Sequence, residues 1–357
     1  MKFGIFLPNG SNGYLLSTAA PQYSPTFAHN LAITRAAEDA GMDFVLSMMK
    51  FRGFGGDTGY WDSCLDSFSL MAGLAAATSK IELYPSITVL STHPALAARM
   101  VATIDDISGG RCGLNIVTGW NKPEYTQMGL WPGDEYYEQR YEFAAEYLQI
   151  LKKAWADGSV THHGQFFELE DCSVLPRPSR DVPIVCAGQS QKGLSFTAEC
   201  GDHNFVMATP HRLREIAANL EQRAGAFGRH AGTFALFTVI AEDTDEEAID
   251  IATDLVASAD EAAIANVITS ASLDVNPAGT SEALRTGLAK PLQEGNSAFM
   301  GFPVIAGSYK TVAQQIGEIG AIPGVDGVML NFRNFVPDIR AFGEKVMPVV
   351  QRATVSA

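Results

Sequence analysis

The chain has 357 residues, 46% of them hydrophobic and 18% charged, an ordinary globular balance able to bury a large core. Lys and Arg number 25 against 40 Asp and Glu. The formal charge of −15 repels a phosphate backbone or an anionic lipid surface, which speaks against nucleic-acid and membrane partners. The five cysteines form no CxxC pair, and no apolar stretch approaches the roughly 18 residues of a membrane span. The start, "MKFGIFLPNG", holds too short an apolar run for a signal segment, so a reduced cytoplasmic protein is expected.

In chain order, short apolar runs alternate with amphipathic stretches. Strands are expected at 2–8, 44–48, 81–87, 111–117, 182–188, 203–208, 234–242 and 327–332, most of them apolar on both faces like buried parallel strands. Helices are expected at 26–41, closed by Gly41, at 136–156 and at 311–322. In the second of these, Tyr141, Ala144, Leu148, Leu151 and Trp155 share one face. Eight strands alternating with helices predict an α/β fold, a (β/α)8 TIM barrel forming one domain over 1–357. An open doubly wound sheet is the rival, disfavoured because no GxGxxG follows the first strand. "GFGGDTG" (53–59) has the wrong spacing for that motif and reads as a mobile loop. Two insertions, 157–181 and 266–308, break the rhythm and are expected over the barrel's C-terminal mouth or at an oligomer interface.

Barrel ligands bind at the C-terminal strand ends, so the residues there are the candidates. The fourth expected strand ends in "NIVTGWNKPEY", which crowds Asn115, Thr118, Trp120 and Glu124 together. Asn115 could equally be a polar strand end bonding its neighbour's backbone, and Trp120 a cover over a core edge. In "CAGQSQKG" a strand runs into Gly188 with Ser190 at a helix N-cap, where free amides favour an anion such as phosphate; a plain cap is the alternative. Arg140 and Tyr141 would add a cation and a hydroxyl, or be an exposed Arg beside a core Tyr. His93, before Pro94, reads as structural, and His162 and His163 lack a metal-ligand pattern. With no HExxH, GxSxG or Walker lysine, hydrolase, P-loop and zinc readings lack support and no metal is expected.

Longer stretches carry a resemblance. "MKFGIFLPNGSNGYLLSTAAPQY", "SMMKFRGFGG", the block from "ARMVATIDDISGGRCGLNIVTGW" through "EYYEQRY", and "VCAGQSQKG" are similar to the bacterial luciferase-like flavin monooxygenase family, above all to members that open a pyrimidine ring. The likeness runs to about residue 206 and then thins, and 266–308 differ almost throughout.

The resemblance implies reduced FMN at the barrel mouth, with O2 as co-substrate. The cofactor positions it implies are Met49, Lys50, Asn115, Glu124, Arg140, Tyr141, Gly188 and Ser190. Leu46, Ser86, Asn115 and Trp120 match the flavin-edge and oxygen pocket, with Ser86 where the relatives carry Thr. No NAD(P)H fingerprint is present, so a separate NAD(P)H:flavin reductase is the expected functional partner, making a two-component system. A small-molecule substrate and a homo-oligomer are expected. The implied reaction oxygenates and opens a cyclic amide such as uracil or a related N-heterocycle. The alternatives are a sulfonate, sulfone or aromatic substrate, a deazaflavin-dependent hydride transfer, or a silent flavin-binding protein. Because 266–308 differ, Phe299, Phe302 and Val304 are expected to wall the substrate.

Overall fold

The apolar runs form strands because their aliphatic and aromatic residues pack on both faces. A computed structural model describes residues 1–274, 281, 282, 284 and 297–355. The first half of the chain gives β1 (Lys2–Leu7), α1 (Phe27–Asp39), β2 (Phe44–Ser47), α2 (Ser67–Ala77), β3 (Glu82–Tyr84), β4 (Ser86–Thr88), α3 (Pro94–Ser108), β5 (Leu114–Val117), α4 (Lys122–Thr126) and α5 (Tyr136–Asp157). It continues with β6 (Ser159–His163), β7 (Glu168–Ser173), β8 (Ile184–Ala187), α6 (Gln191–Cys200), β9 (His203–Val206), α7 (Pro210–Ala226) and β10 (Gly232–Glu242). Then come α8 (Asp245–Ala257), α9 (Glu261–Ala271), β11 (Val304–Ser308), α10 (Tyr309–Gly320), β12 (Val325–Phe332), α11 (Phe335–Lys345) and α12 (Met347–Val355).

The strands join in parallel in the order β3-β2-β1-β12-β10-β9-β8-β5-β4. The strand expected at 81–87 is cut in two at Pro85, which has no N–H to give the ladder. Both halves still reach the β5 side, through Leu83 opposite Cys112 and Ser86 opposite Asn115, so the ring closes as the expected α/β barrel. An open sheet is thereby excluded.

The barrel's N-terminal end is plugged by aromatic rings. Phe44 stacks on Phe234 at 4.7 Å and meets Tyr84 edge-on at 5.4 Å, while His203 lies flat on Phe234 at 4.1 Å. Gly4 and Gly113 make room for this floor, since a Cβ on either would come within 2.2 Å of the Phe44 or Tyr84 ring. Contacts of this kind add about 0.5–1.5 kcal/mol per pair beyond area burial. With the floor sealed, a ligand has space only at the opposite, C-terminal end.

Three departures from expectation stand out. Val304–Ser308, inside the second expected insertion, is a strand: β11 pairs with the last residues of β10 after β9 has ended. Within the first expected insertion, Ser159–Ser173 form the antiparallel β6–β7 hairpin, which lies along α5 and adds nothing to the cavity lining. Glu146 on α5 takes His162 at 3.0 Å and Phe143 packs on Phe166 and Phe167, so the hairpin is held to the helix flank and not over the mouth. The 53–59 loop is pinned. Phe54 is buried, Gly55 bridges Tyr60, and Thr58 donates from both N and Oγ1 to the Asp260 carboxylate. Much of the second insertion lies outside the described residues. Among the described residues no helix is long and apolar enough to cross a membrane.

Candidate active site

The C-terminal strand ends surround a cavity of about 1110 Å³, its open mouth included. Leu46, Met49, Lys50, Ser86, Asn115, Trp120, Glu124, Arg140 and Tyr141 all line it. Gly188 and Ser190 sit just behind Tyr141. A Cβ on Gly188 would meet the Tyr141 hydroxyl at 2.8 Å and Gly193 Cα at 3.1 Å, so only glycine lets α6 start so close to this wall.

One corner is a hydroxyl–amide relay. The Ser86 hydroxyl donates to the Ser47 carbonyl oxygen, which commits its hydrogen. Ser86 Oγ is then an acceptor, and the Asn115 amide nitrogen donates to it at 2.7 Å. This fixes the orientation of the carboxamide, usually the ambiguous part of an Asn side chain. Asn115 Oδ1 is buried with no partner among the described residues. A buried amide oxygen left without a donor costs about 1–3 kcal/mol, so it is poised for a ligand that supplies one.

A second wall holds a buried ion pair. Lys50 Nζ lies 3.0 Å from Glu124 Oε1, with the two side chains only 6% and 7% exposed. The ammonium also sits 4.3 Å from the Phe54 ring centre and 5.7 Å from those of Trp61 and Trp120. Burial pulls the Lys50 pKa down, and Glu124 opposes that pull. Glu124 Oε1 further accepts from the Phe51 and Arg52 amides at 2.9 and 3.4 Å, tying the turn after β2 to α4. Asn9 clamps the same turn from below, through Met48 N at 3.0 Å and Met48 O at 2.8 Å. Burial pushes the nearby Cys64 thiol up to about 12, towards its protonated form.

The third corner suits an anion. Arg140 and Tyr141 belong to the first turns of α5, and α6 begins beside them with Ser190 as N-cap, its Oγ accepting from Gly193 N at 3.1 Å. First-turn amides of a helix have no partner within it, and the helix dipole adds positive potential there. Arg140 is 3% exposed, and its Nε has no partner among the described residues. Its Nη1 is 2.7 Å from Asp274 Oδ2. Burial lowers the guanidinium pKa, but Tyr141 and Asp274 outweigh it and raise it on balance.

The sequence reading missed Asp274, Ser281 and Leu284, which come from the stretch without periodicity. It also missed Phe6 and Phe205, which line the cavity. These two were findable, because both lie on inward positions of expected strands. Of the expected substrate wall, Phe302 lines the cavity, but Phe299 and Val304 pack against Leu15, Ile240 and Ala248 on the outer side. The turn through Met300 and Gly301, both at positive φ, reverses the chain between Phe299 and Phe302. His93 caps α3 with Nδ1 accepting from Ala95 N at 3.3 Å, so it serves a structural end.

The model of the family described as luciferase-like monooxygenase matches residues 1–326. The chain belongs to this family and is a flavin-dependent monooxygenase, the class its barrel and cavity suit. Within the family it is 46% identical over 355 residues to the pyrimidine monooxygenase RutA of Klebsiella pneumoniae subsp. pneumoniae, covering 98% of this chain and 96% of the relative. The likeness therefore does not stop near residue 206. Two solved structures share the fold: riboflavin lyase RcaE, bound to modified FMN and riboflavin (TM-score 0.86, 21% identity, 100% of this chain and 92% of that one), and the EDTA monooxygenase EmoA of Chelativorans sp. BNC1 (TM-score 0.83, 19% identity, 99% and 94%).

Proposed function

We propose that this chain is the oxygenase of a two-component system, taking reduced FMN from a separate reductase and using O2 to open a cyclic amide of the uracil type. The observation that carries the reading is Asn115: a buried carboxamide locked by Ser86, its oxygen without a partner among the described residues, on the lining of the cavity that Arg140 also lines. The name of the 46% identical relative supports the pyrimidine substrate. What supports a flavin mononucleotide is the donor set: among the described residues Asn115 Oδ1 and Arg140 Nε are buried without partners, an acceptor for a ring N–H and a cationic donor for a phosphate.

Arg140, Tyr141 and the α6 start at Gly188 and Ser190 would hold the phosphate. Asn115 would bond the ring edge, with Ser86 keeping its amide in register. Met49, Lys50 and Glu124 would line the cofactor's side, and Leu46 and Trp120 would bound the space for oxygen. Bound reduced flavin supplies the electrons that activate O2. Phe6, Phe205, Met300 and Phe302 present an apolar wall, which keeps bulk water out and suits a flat ring.

Oxygen uptake with chemically reduced FMN tests this reading. Because reduced flavin consumes oxygen by either route, the readout is where that oxygen goes: uracil consumed with less hydrogen peroxide formed is expected, and intact uracil with peroxide matching the flavin supplied would overturn it. A binding prediction goes with it. Arg140→Gln should weaken FMN by about 1.5–3 kcal/mol, the range for hydrogen bonds to charged groups. A flavin fluorescence titration reads this directly, and an unchanged Kd would remove Arg140 from the site.

A further inference from the structure

The ion pair on Arg140 has an unusual partner. Asp274 lies three residues beyond the end of α9, and its side chain is fully buried. Its Oδ2 accepts from Arg140 Nη1 at 2.7 Å and from Ser281 Oγ at 2.8 Å. Ser281 lines the same cavity as Arg140. A carboxylate with two donors on one oxygen offers the guanidinium the same acceptor chemistry as a phosphate oxygen. The contact bridges 134 residues of chain, so no local helix geometry explains it. Arg140 meanwhile keeps its Nε without a partner among the described residues, so Asp274 does not exhaust its donors.

We infer that Asp274 holds the place of the cofactor's phosphate on Arg140 and so weakens the chain's hold on phosphate-bearing flavins, while leaving flavins without phosphate untouched. This rests on the proposed flavin site, because it takes Arg140 as the phosphate reader. A phosphate arriving beside the carboxylate meets a like charge at close range in a buried corner, where such charges interact strongly. Entry must therefore separate Asp274 from Arg140 or force the two anions to share it, and either lowers affinity. Loose retention suits a protein that accepts reduced FMN from another protein and gives the oxidised form back. Riboflavin has the same ring system and ribityl chain but no phosphate, so Asp274 is neutral towards it. Asp274 is a positioning residue here and takes no part in the oxygen chemistry.

The test is a pair of titrations on the full chain, with FMN and with riboflavin, for wild type and Asp274→Asn. Removing the charge while keeping the shape should tighten FMN by about tenfold or more, the scale of 1.4 kcal/mol, and leave riboflavin within about twofold. Inorganic phosphate should compete with FMN more effectively in the variant. An unchanged or weaker FMN Kd would overturn the role of Asp274, and so would equal tightening of both ligands, which would mean only that the cavity had opened. Should Asp274→Asn fail to fold, Ser281→Ala removes the hydroxyl steadying the carboxylate. It should tighten FMN selectively by about threefold, less than a full unit of log Kd, and no change there would overturn the role as well. Wild type that binds neither flavin would bring down the proposed site together with this inference. Wild type that binds FMN as tightly as Asp274→Asn would bring down the inference alone.

Discussion

Asn115→Ala is expected to lower turnover at saturating reduced FMN by about 100-fold, while FMN affinity falls by less than about tenfold. The scale is that of removing one preorganised polar group aimed at the reacting atoms, about 10²–10³ in rate. The Asn115 amide is fixed before any ligand arrives, because the Ser86 hydroxyl is committed to the Ser47 carbonyl and can only accept. Its cost of ordering is met in folding, so its contacts can act mainly on the transition state. Ser86→Ala should act in the same direction by freeing the carboxamide to turn, and Ser86→Thr, which restores the hydroxyl, should recover most of the rate. Steady-state oxygen consumption against an FMN titration separates the two effects. If Asn115→Ala loses affinity in proportion and keeps its turnover at saturation, Asn115 only binds.

Glu124→Gln should lower the unfolding free energy by about 3–5 kcal/mol, the cost of stranding one partner of a buried ion pair. Lys50 would keep its charge in a box of Phe54, Trp61 and Trp120 with no anion to meet it. The substitution also weakens the acceptor that ties Phe51 and Arg52 to α4, so flavin binding should fall with stability. The double variant Lys50→Met/Glu124→Gln removes the stranded charge and should recover more than half of the loss, as apolar replacements of buried pairs commonly do. Urea midpoints measure all three. A loss below about 1 kcal/mol for Glu124→Gln would mean that the pair behaves like an exposed one.

The barrel was legible because most of its staves are short runs apolar on both faces, as covered parallel strands are, and they alternate with amphipathic helices. β11 was not, because "VIAGS" carries Gly and Ser and follows a stretch without periodicity. The break at Pro85 was readable in principle from the missing amide. Asn115 was legible as a candidate because it ends a barrel strand beside Thr118, Trp120 and Glu124; its partner Ser86, from the neighbouring strand, was not. The 53–59 loop misled because glycine content signals backbone freedom but not the tertiary anchor, here Asp260, about 200 residues away. Asp274 had no local signal at all, since its meaning lies entirely in a contact with a distant helix.

The most direct test supplies the protein with FMN, NADH, a flavin reductase and uracil under ¹⁸O2, and follows the pyrimidine by mass spectrometry. A ring-opened product that carries ¹⁸O, formed only when protein, reduced flavin and oxygen are all present, is the expected result. Uracil recovered intact and unlabelled while the protein binds reduced FMN and oxygen is consumed would contradict the proposed reaction.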